Sequence, residues 1–153
     1  MRSKNNYEIL GNMVKVEIYS NKYGYIYTTI DKEDIHILDK YKLRVKFDKT
    51  INGFYIYTGR MNNKKWEVNL LHRIITNCPK GMQVDHINRN PLDNIKSNLR
   101  VCTNIVNANN RKTRCDNKVG VRGIAYNYKK DIYTVRKNIN GKRRFTRCKK
   151  RNG

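Results

Sequence analysis

The sequence has no long apolar run that could cross a membrane. No stretch approaches the roughly 20 apolar residues of a spanning helix, and no basic amphipathic helix of useful length is found. The N-terminal segment MRSKNNYEIL lacks the apolar centre of a signal peptide. These absences argue against a membrane protein, and we expect a cytoplasmic one.

Closely spaced cysteine pairs are also missing. Cys78, Cys102, Cys115 and Cys148 are widely and irregularly spaced, and no CxxC pair begins a zinc site. Without an extracellular context, disulfides are not expected and free thiols are the simplest interpretation. A zinc site built from Cys102 and Cys115 with distant partners stays open as an alternative.

Acidic residues are scarce, and this imbalance indicates the kind of partner. The chain has 34 Lys and Arg against 12 Asp and Glu, for a formal net charge of +22. Residues 110–153 contain 16 of the basic residues and two acidic ones and so carry +14, which leaves +8 on residues 1–109. Such an excess exceeds what solubility needs and predicts a polyanionic partner, by default a nucleic acid.

Residues 1–70 are predicted to form a small α+β module rich in hairpins. The segments VKVEIYS and YGYIYTTI alternate and are rich in β-branched and aromatic residues, which is typical of paired strands. Asp31 is a plausible N-cap for a short helix, and three more strand candidates follow. The tyrosines in this module could stack on bases, although alternating aromatics more often form a half-buried face of a sheet.

Residues 71–112 show a different order of elements. LLHRIITNC has helical spacing, MQVDHI reads as a strand, and an Asn-rich loop leads to a second strand, NLRVCT. Thr103 can cap the helix that follows, TNIVNANNRK. The predicted order is therefore strand, long loop, strand, helix.

Four residues set in this order resemble the active-site motif of a known family. Asp85-His86, then Asn98, then Asn107 are similar to the HNH nucleases with a ββα-metal site, in the form found in phage and intron-homing endonucleases. The likeness is strongest over residues 71–111. It implies a metal-dependent DNA endonuclease in a bacterial or phage-infected cell.

The adjacent acid and histidine suit phosphodiester hydrolysis, which needs an activated water and relief of charge on the leaving oxygen. Because neighbouring strand residues face opposite ways, we expect Asp85 to point to the helix and His86 to solvent. The resemblance implies that Asp85 and Asn107 hold one Mg²⁺ or Mn²⁺ ion and that His86 is the general base. It also implies that Asn98 ties the loop together and orients His86.

Several other polar residues compete for a role. His72 recurs at a corresponding place in the family, and it either touches the DNA or active site or is a helix residue facing its own module. His36 is expected to be structural. Other helical amides that could replace Asn107 as the ligand are Asn104, Asn109 and Asn110.

The basic segment 113–153 is predicted to hold a three-stranded antiparallel sheet. Residues 120–150 resemble the first three strands of the Apetala-type DNA-binding domain, whose covering helix is missing here, as in a truncated domain. Alternation places Tyr133, Val135 and Ile139 on the inner face and Thr134, Arg136 and Asn138 on the DNA face. A solvated basic tail that binds any phosphate backbone is the alternative. The candidate DNA-binding residues are Arg111, Lys112, Arg122, Arg136, Lys142 and Arg143.

The complete prediction is an α+β chain with an N-terminal module (1–70), an HNH module (71–112) and an Apetala-like segment (113–153). The predicted activity is hydrolysis of double-stranded DNA by a monomer of the homing type. The alternative is a non-catalytic DNA- or RNA-binding protein, either a regulator or a decayed nuclease. A ribosome-associated RNA binder would explain the charge but not the Asp-His pair.

Overall fold

The computed structural model describes residues 4–62, 65–110, 117–121, 123–139 and 142–149. The chain forms two compact units, Met1–Asn110 and Arg111–Gly153, each considered by itself below. Strands dominate the described residues and the helices among them are short, which confirms the predicted sheet-rich α+β class. No helix in these ranges is long and apolar enough to cross a bilayer.

The first sheet of the first unit is antiparallel, with its strands in sequence order. Val14, Val16 and Ile18 alternate along the central strand and are buried, because successive side chains of a strand point to opposite faces. The hairpin predicted from this alternation is present. The three strands are β1 (Tyr7–Leu10), β2 (Met13–Ser20) and β3 (Gly24–Asp31).

A 3-10 turn (Lys32–Asp34) and helix α1 (His36–Lys40) lead into a second antiparallel sheet. Its central strand contains Gly59, where a Cβ atom would clash with the indole of Trp66 on the neighbouring strand. A glycine is therefore required for the close approach of this ring. The strands are β4 (Arg44–Asp48), β5 (Gly53–Asn62) and β6 (Lys65–Leu70).

The side chain of Asp31 does not cap the helical segment that follows it. Asp31 stands at the N-cap position of the 3-10 turn but makes no capping hydrogen bond there. Its Oδ2 instead accepts a hydrogen bond from the backbone N–H of Lys96 at 2.7 Å. The predicted cap is wrong because the carboxylate accepts its hydrogen bond from a backbone amide 65 residues away in sequence.

One hydrophobic core joins both sheets to the segment that follows residue 70. Leu71, the first residue of helix α2 (Leu71–Ile75), is fully buried, and Leu92 of the Asn-rich loop packs against the same cluster. The residues after position 70 are thus supported by the N-terminal sheets. The cluster contains Val14, Val16, Ile18, Ile30, Ile37, Leu38, Leu43, Ile56 and Leu71.

A two-stranded hairpin and a helix follow in the predicted order. Strands β7 (Gln83–His86) and β8 (Leu99–Cys102) pair antiparallel, and helix α3 (Asn104–Asn110) comes next. Thr103 caps this helix as predicted, since its Oγ1 accepts a hydrogen bond from the N–H of Val106 at 3.4 Å.

The loop between β7 and β8 is held against strand β3. The N–H of Thr29 donates to the carbonyl of Leu92 at 3.0 Å, and the N–H of Asn94 donates to the carbonyl of Thr29 at 2.9 Å. This pair of bonds adds a short parallel bridge to the edge of the first sheet. The N-terminal sheet therefore positions the Asn-rich loop.

The described residues of the second unit contain one antiparallel sheet, in which the strand over residues 132–139 lies between the strands over residues 124–127 and 142–149. Gly123 precedes it with φ +78°, and a Cβ atom there would lie 2.7 Å from the carbonyl oxygen of Arg136, so only glycine fits. All residues of the last strand are exposed. The strands are β9 (Ile124–Asn127), β10 (Ile132–Ile139) and β11 (Lys142–Lys149).

Candidate active site

Strand β7 separates the side chains of Asp85 and His86, as the sequence predicts for adjacent strand residues. Asp85 faces helix α3 and is 5% exposed. His86 is 7% exposed, so the expectation that it faces open solvent is wrong. Its ring is covered because helix α2 and the Asn-rich loop pack over that side of the hairpin, through His72 and Asn94.

The carboxylate of Asp85 is paired with a cation and an amide. Its Oδ2 lies 2.5 Å from Nη2 of Arg100, the residue directly opposite on β8, and its Oδ1 accepts a hydrogen bond from Nδ2 of Asn110 at 2.8 Å. A buried carboxylate needs such partners because burial removes its hydration. The Arg100 side chain is 44% exposed, so its charge stands at the boundary between the buried acid and solvent.

Asn110 attaches the end of helix α3 to strand β7. Besides Asp85, its Nδ2 approaches the carbonyl oxygens of His86 at 2.9 Å and Ile87 at 3.5 Å. All three contacts use the amide nitrogen as donor. This geometry identifies Asn110 as a clamp between helix and strand, a role the sequence does not reveal.

Asn107 lies one turn before Asn110 on the same side of helix α3, because residues three apart in a helix are neighbours. Its side chain is half-buried, and within the described part of the chain it makes no hydrogen bond. Its amide oxygen is therefore not committed to another described residue. Among the described residues no contact joins Asn107 to the carboxylate of Asp85, whereas Asn110, one of the alternative helical amides, hydrogen-bonds to it directly.

Asn94 holds the imidazole of His86 in one orientation. Asn94 is 1% exposed, and its Nδ2 donates to Oγ1 of Thr28 at 3.0 Å and to the carbonyl of Pro91 at 3.2 Å. Its Oδ1 consequently faces Nε2 of His86, 3.3 Å away. Because an amide oxygen only accepts, this contact favours the tautomer with the proton on Nε2 and leaves Nδ1 as the basic nitrogen.

Asn98 connects two parts of the loop and does not contact His86 directly. Its Oδ1 accepts from the N–H of Asn88 at 2.9 Å, and its Nδ2 donates to the carbonyl of Asp93 at 2.8 Å. The expectation that Asn98 ties the loop together is met. The expectation that it hydrogen-bonds to His86 is wrong, because both ends of its amide are taken by loop backbone and Asn94 orients the ring instead.

His72 is the second histidine of this site. The rings of His72 and His86 are 5.1 Å apart and nearly perpendicular, and Tyr55 contacts the other side of His72. Burial, with smaller effects of His86 and Arg73, lowers the pKa of His72 to about 3. Of the two interpretations left open by the sequence, the structure favours a position within the active-site cluster.

The imidazole of His86 is in its neutral form at neutral pH. Burial lowers the pKa of His86 below its usual value, whereas the contact with Asn94 and the charges of Asp85 and Asp93 oppose that shift. A neutral ring with its proton on Nε2 can accept a proton on Nδ1. This is the state that a general base requires.

The carboxylate of Asp85 is an oxygen donor of the type that hard divalent cations bind, and in this structure both of its oxygens are paired, with Arg100 and with Asn110. Among the described residues there is no group of three or more His, Cys, Asp and Glu side chains placed to hold a metal ion. The oxygen donors on this side of the hairpin are the carboxylate of Asp85 and the amides of helix α3, of which Asn110 contacts Asp85 in the described structure and Asn107 does not. Oxygen ligands of this type, few in number and completed by water and phosphate, suit Mg²⁺.

The predicted DNA-binding residues of the second unit do not share one face. Arg143 pairs with Asn138 across β10 and β11, which places it on the same face as Arg136, whereas Lys142 pairs with Ile139 on the opposite face. Arg147 also lies on the face of Arg136. The sequence does not single it out as a DNA-binding candidate, because its face depends on the cross-strand pairing of β10 and β11. Arg111, Lys112 and Arg122 lie outside the described residues.

Comparison with known proteins gives a match over the hairpin of the first unit. Residues 70–109 match the family model described as HNH endonuclease, and this range contains the four motif residues. The chain is 34% identical to Protein 3.8 of Escherichia phage T7 over 55 residues, which are 36% of this chain and 46% of that protein. The chain thus spans less than half of this relative's length. No solved structure matches the chain.

The family match supports an HNH endonuclease segment in the chain and indicates nuclease activity. The HNH family implies a DNA substrate and, in general, dependence on a divalent metal ion. The match ends before the basic second unit, so the likeness of that unit to Apetala-type domains has no support from these comparisons.

Proposed function

We propose that this protein is a metal-dependent endonuclease of the HNH homing type, which hydrolyses phosphodiester bonds in double-stranded DNA. The observation that carries the proposal is the pairing on one strand of a clamped carboxylate, Asp85, with an oriented neutral imidazole, His86. A protein that only binds DNA has no need for both. The family match over residues 70–109 supports the same activity.

His86 acts as the general base in this proposal. Nδ1 takes a proton from a water molecule, whose oxygen attacks phosphorus in line with the leaving oxygen. Asn94 keeps Nε2 protonated and the ring fixed, and His72 limits rotation of the ring from the other side. His86 is 7% exposed, and in this role the open edge of its ring is the one that carries Nδ1.

Asp85 and Asn107 are the residues proposed to hold the ion, one Mg²⁺ or Mn²⁺ per site. When bound, the ion would neutralise charge on the phosphate and on the leaving oxygen. Asn110 keeps helix α3 against β7, which maintains the spacing between the two ligands. Arg100 neutralises Asp85 in the structure and is exposed enough to turn toward a phosphate.

The protein is proposed to act as a monomer. Its second unit is proposed to hold the DNA with an Apetala-like sheet. Its last strand is exposed along its whole length and offers arginines on one face, which suits contacts with phosphates and base edges. The predicted contacts of Arg111, Lys112, Arg122, Arg136, Lys142 and Arg143 stay proposals. The same exposed charge also favours the second candidate function, a nucleic-acid-binding protein without catalysis.

Incubation with supercoiled plasmid tests the proposal. The protein should convert the plasmid to nicked or linear forms with Mg²⁺ and leave it intact with chelator. The Asp85→Asn variant should bind the plasmid and leave it supercoiled. Binding without cleavage by the wild-type protein, with Mg²⁺ or Mn²⁺, would support the non-catalytic alternative.

A further inference from the structure

A cleft of about 600 Å³ opens between the first two sheets, within the first unit. It is distinct from the Asp85–His86 site, and none of its lining residues belongs to the HNH motif. Two kinds of side chain define its chemistry, aromatic rings and cations. They are Tyr19, Tyr25 and Tyr57 together with Lys4, Lys42 and Arg44.

Two of the three tyrosines at the cleft are open to solvent, and the third, Tyr57, is half-buried. Tyr19 and Tyr25 are 62% and 59% exposed, and they form a cross-strand pair whose ring centroids are 5.1 Å apart at 55°. The sequence favours a half-buried face for these residues, and the structure shows that this interpretation is wrong for both. Exposed aromatic faces on a rigid sheet are the surfaces on which unpaired bases stack.

The cations at the cleft are placed to accept phosphate. Lys4 pairs with Asp39 at 2.7 Å, and both side chains are largely exposed, so this surface ion pair is weak and can exchange for a phosphate. Arg44 lies on strand β4, which borders the cleft, and its guanidinium is 5.6 Å from the centroid of the Trp66 ring. Glu17 is the acidic residue among those that line the cleft, and Asp39 pairs with Lys4, so the three cations outnumber the two nearby carboxylates.

Strand β5 connects the cleft to the active site. On strand β5, Tyr57 lines the cleft while Tyr55, two residues earlier on the same face, contacts His72. A nucleic-acid strand in the active site can therefore extend into the cleft over a few nucleotides.

We propose that this cleft binds unpaired nucleotides of the DNA substrate, with bases stacked on Tyr19 and Tyr25 and phosphates on Lys4, Lys42 and Arg44. The faces of paired bases are covered inside a duplex, so the stacking surface selects single-stranded segments. The substrate class is then DNA in which a duplex adjoins an unpaired stretch. This inference rests on the proposed nuclease function only for its choice of DNA as the nucleic acid.

Binding measured in chelator tests the inference without any cleavage. The full chain is titrated into a fluorescently labelled blunt duplex and into the same duplex with a short single-stranded extension. We expect the extended duplex to bind more tightly, by about 5-fold or more, since stacking of one base on an aromatic ring contributes roughly 1–3 kcal/mol. The variant Tyr19→Ala/Tyr25→Ala should lose this preference and keep its affinity for the blunt duplex.

Tyr7→Ala is the matched control, because Tyr7 is an exposed tyrosine of the same sheet that does not line the cleft. It should retain the preference for the extension. A 2-aminopurine base placed in the extension gives a second readout on the wild-type protein, since stacking on a tyrosine should quench its fluorescence. That measurement remains decisive where the double variant fails to fold.

Three results would overturn the inference: equal affinity of the wild-type protein for the two duplexes, no quenching of the 2-aminopurine, or equal loss of preference in Tyr7→Ala. Competition by a polyglutamate peptide as effective as that by the free single strand would point to acidic proteins instead. Because no metal is present, these outcomes are independent of nuclease activity. A plasmid assay without cleavage would refute the proposed function and leave the binding result standing.

Discussion

The ring of His72 meets the ring of His86 edge to face, with centroids 5.1 Å apart and planes at 88°. His72 lies on helix α2 and His86 on strand β7, so this contact packs helix α2 against the proposed general base. Among the described residues, the ring of His72 contacts the rings of Tyr55 and His86. Its effect on catalysis should therefore pass through His86.

His72→Phe should keep most of the cleavage rate, because a phenyl ring can fill the same space beside His86. His72→Ala should lower both kcat and stability, the latter on the order of 2 kcal/mol, since it leaves a cavity beside the ring. Cleavage rates and urea unfolding of the two variants check this. A His72→Phe protein that is folded but inactive would show that the imidazole itself takes part.

The low pKa of His72 predicts a loss of stability in acid. Above pH 6.5 the imidazole of His72 is unprotonated in both the folded and the unfolded chain, so its ionisation does not change the free energy of unfolding there. Between pH 6.5 and about 3 the unfolded chain binds the proton and the folded chain does not. Stability should therefore fall through this window, by up to about 1.4 kcal/mol per pH unit for this group.

Urea unfolding of wild type and His72→Phe between pH 7 and pH 5 measures this effect. The pKa of His86 is lowered in the same direction, so the difference between the two proteins isolates the contribution of His72. Wild type should lose stability more steeply than the variant. Parallel pH dependences would mean that His72 is protonated in the folded state.

The two asparagines of helix α3 should respond differently to truncation. Asn110→Ala removes the hydrogen bonds to Asp85 and to the carbonyl of His86 and should destabilise the protein by about 1–3 kcal/mol. Asn107→Ala removes no hydrogen bond to a described residue, so it should preserve stability and weaken metal-dependent cleavage. Thermal unfolding together with cleavage at increasing Mg²⁺ checks both. Full Mg²⁺-dependent activity in Asn107→Ala would refute the ligand assignment.

The opposite faces of the second unit's sheet predict unequal effects on DNA binding. If DNA lies on the face of Arg136 and Arg143, then Arg143→Gln should weaken binding and lower the salt slope by roughly one unit for the lost phosphate contact. Lys142→Gln should have the smaller effect because it lies on the other face. Equal effects of both substitutions would mean that no single face binds the DNA.

Local patterns were sufficient for much of the first unit. The alternation of Val14, Val16 and Ile18 predicted strand β2, and the hydroxyl of Thr103 predicted the start of helix α3. The spacing of Asp85-His86 and Asn98 located the hairpin that the family match covers. These features depend on residues close in sequence, which is why composition and periodicity reveal them.

Contacts between distant parts of the chain could not be predicted in this way. Asn94 orients His86 only because Thr28, 66 residues earlier, fixes its amide. The burial of His86 depends on distant contacts for the same reason, since His72 and the loop cover a face that strand alternation alone assigns to solvent. Asp31 likewise accepts a hydrogen bond from the distant backbone amide of Lys96 and does not cap the nearby helix.

The most direct test of the central claim compares wild type with His86→Ala at equal DNA occupancy and saturating Mg²⁺, with single-turnover cleavage as the readout. The His86→Ala variant should lose at least about 100-fold in the cleavage rate, the usual contribution of a general base, with DNA affinity nearly unchanged. A His86→Ala protein that cleaves at the wild-type rate would show that His86 is not the general base.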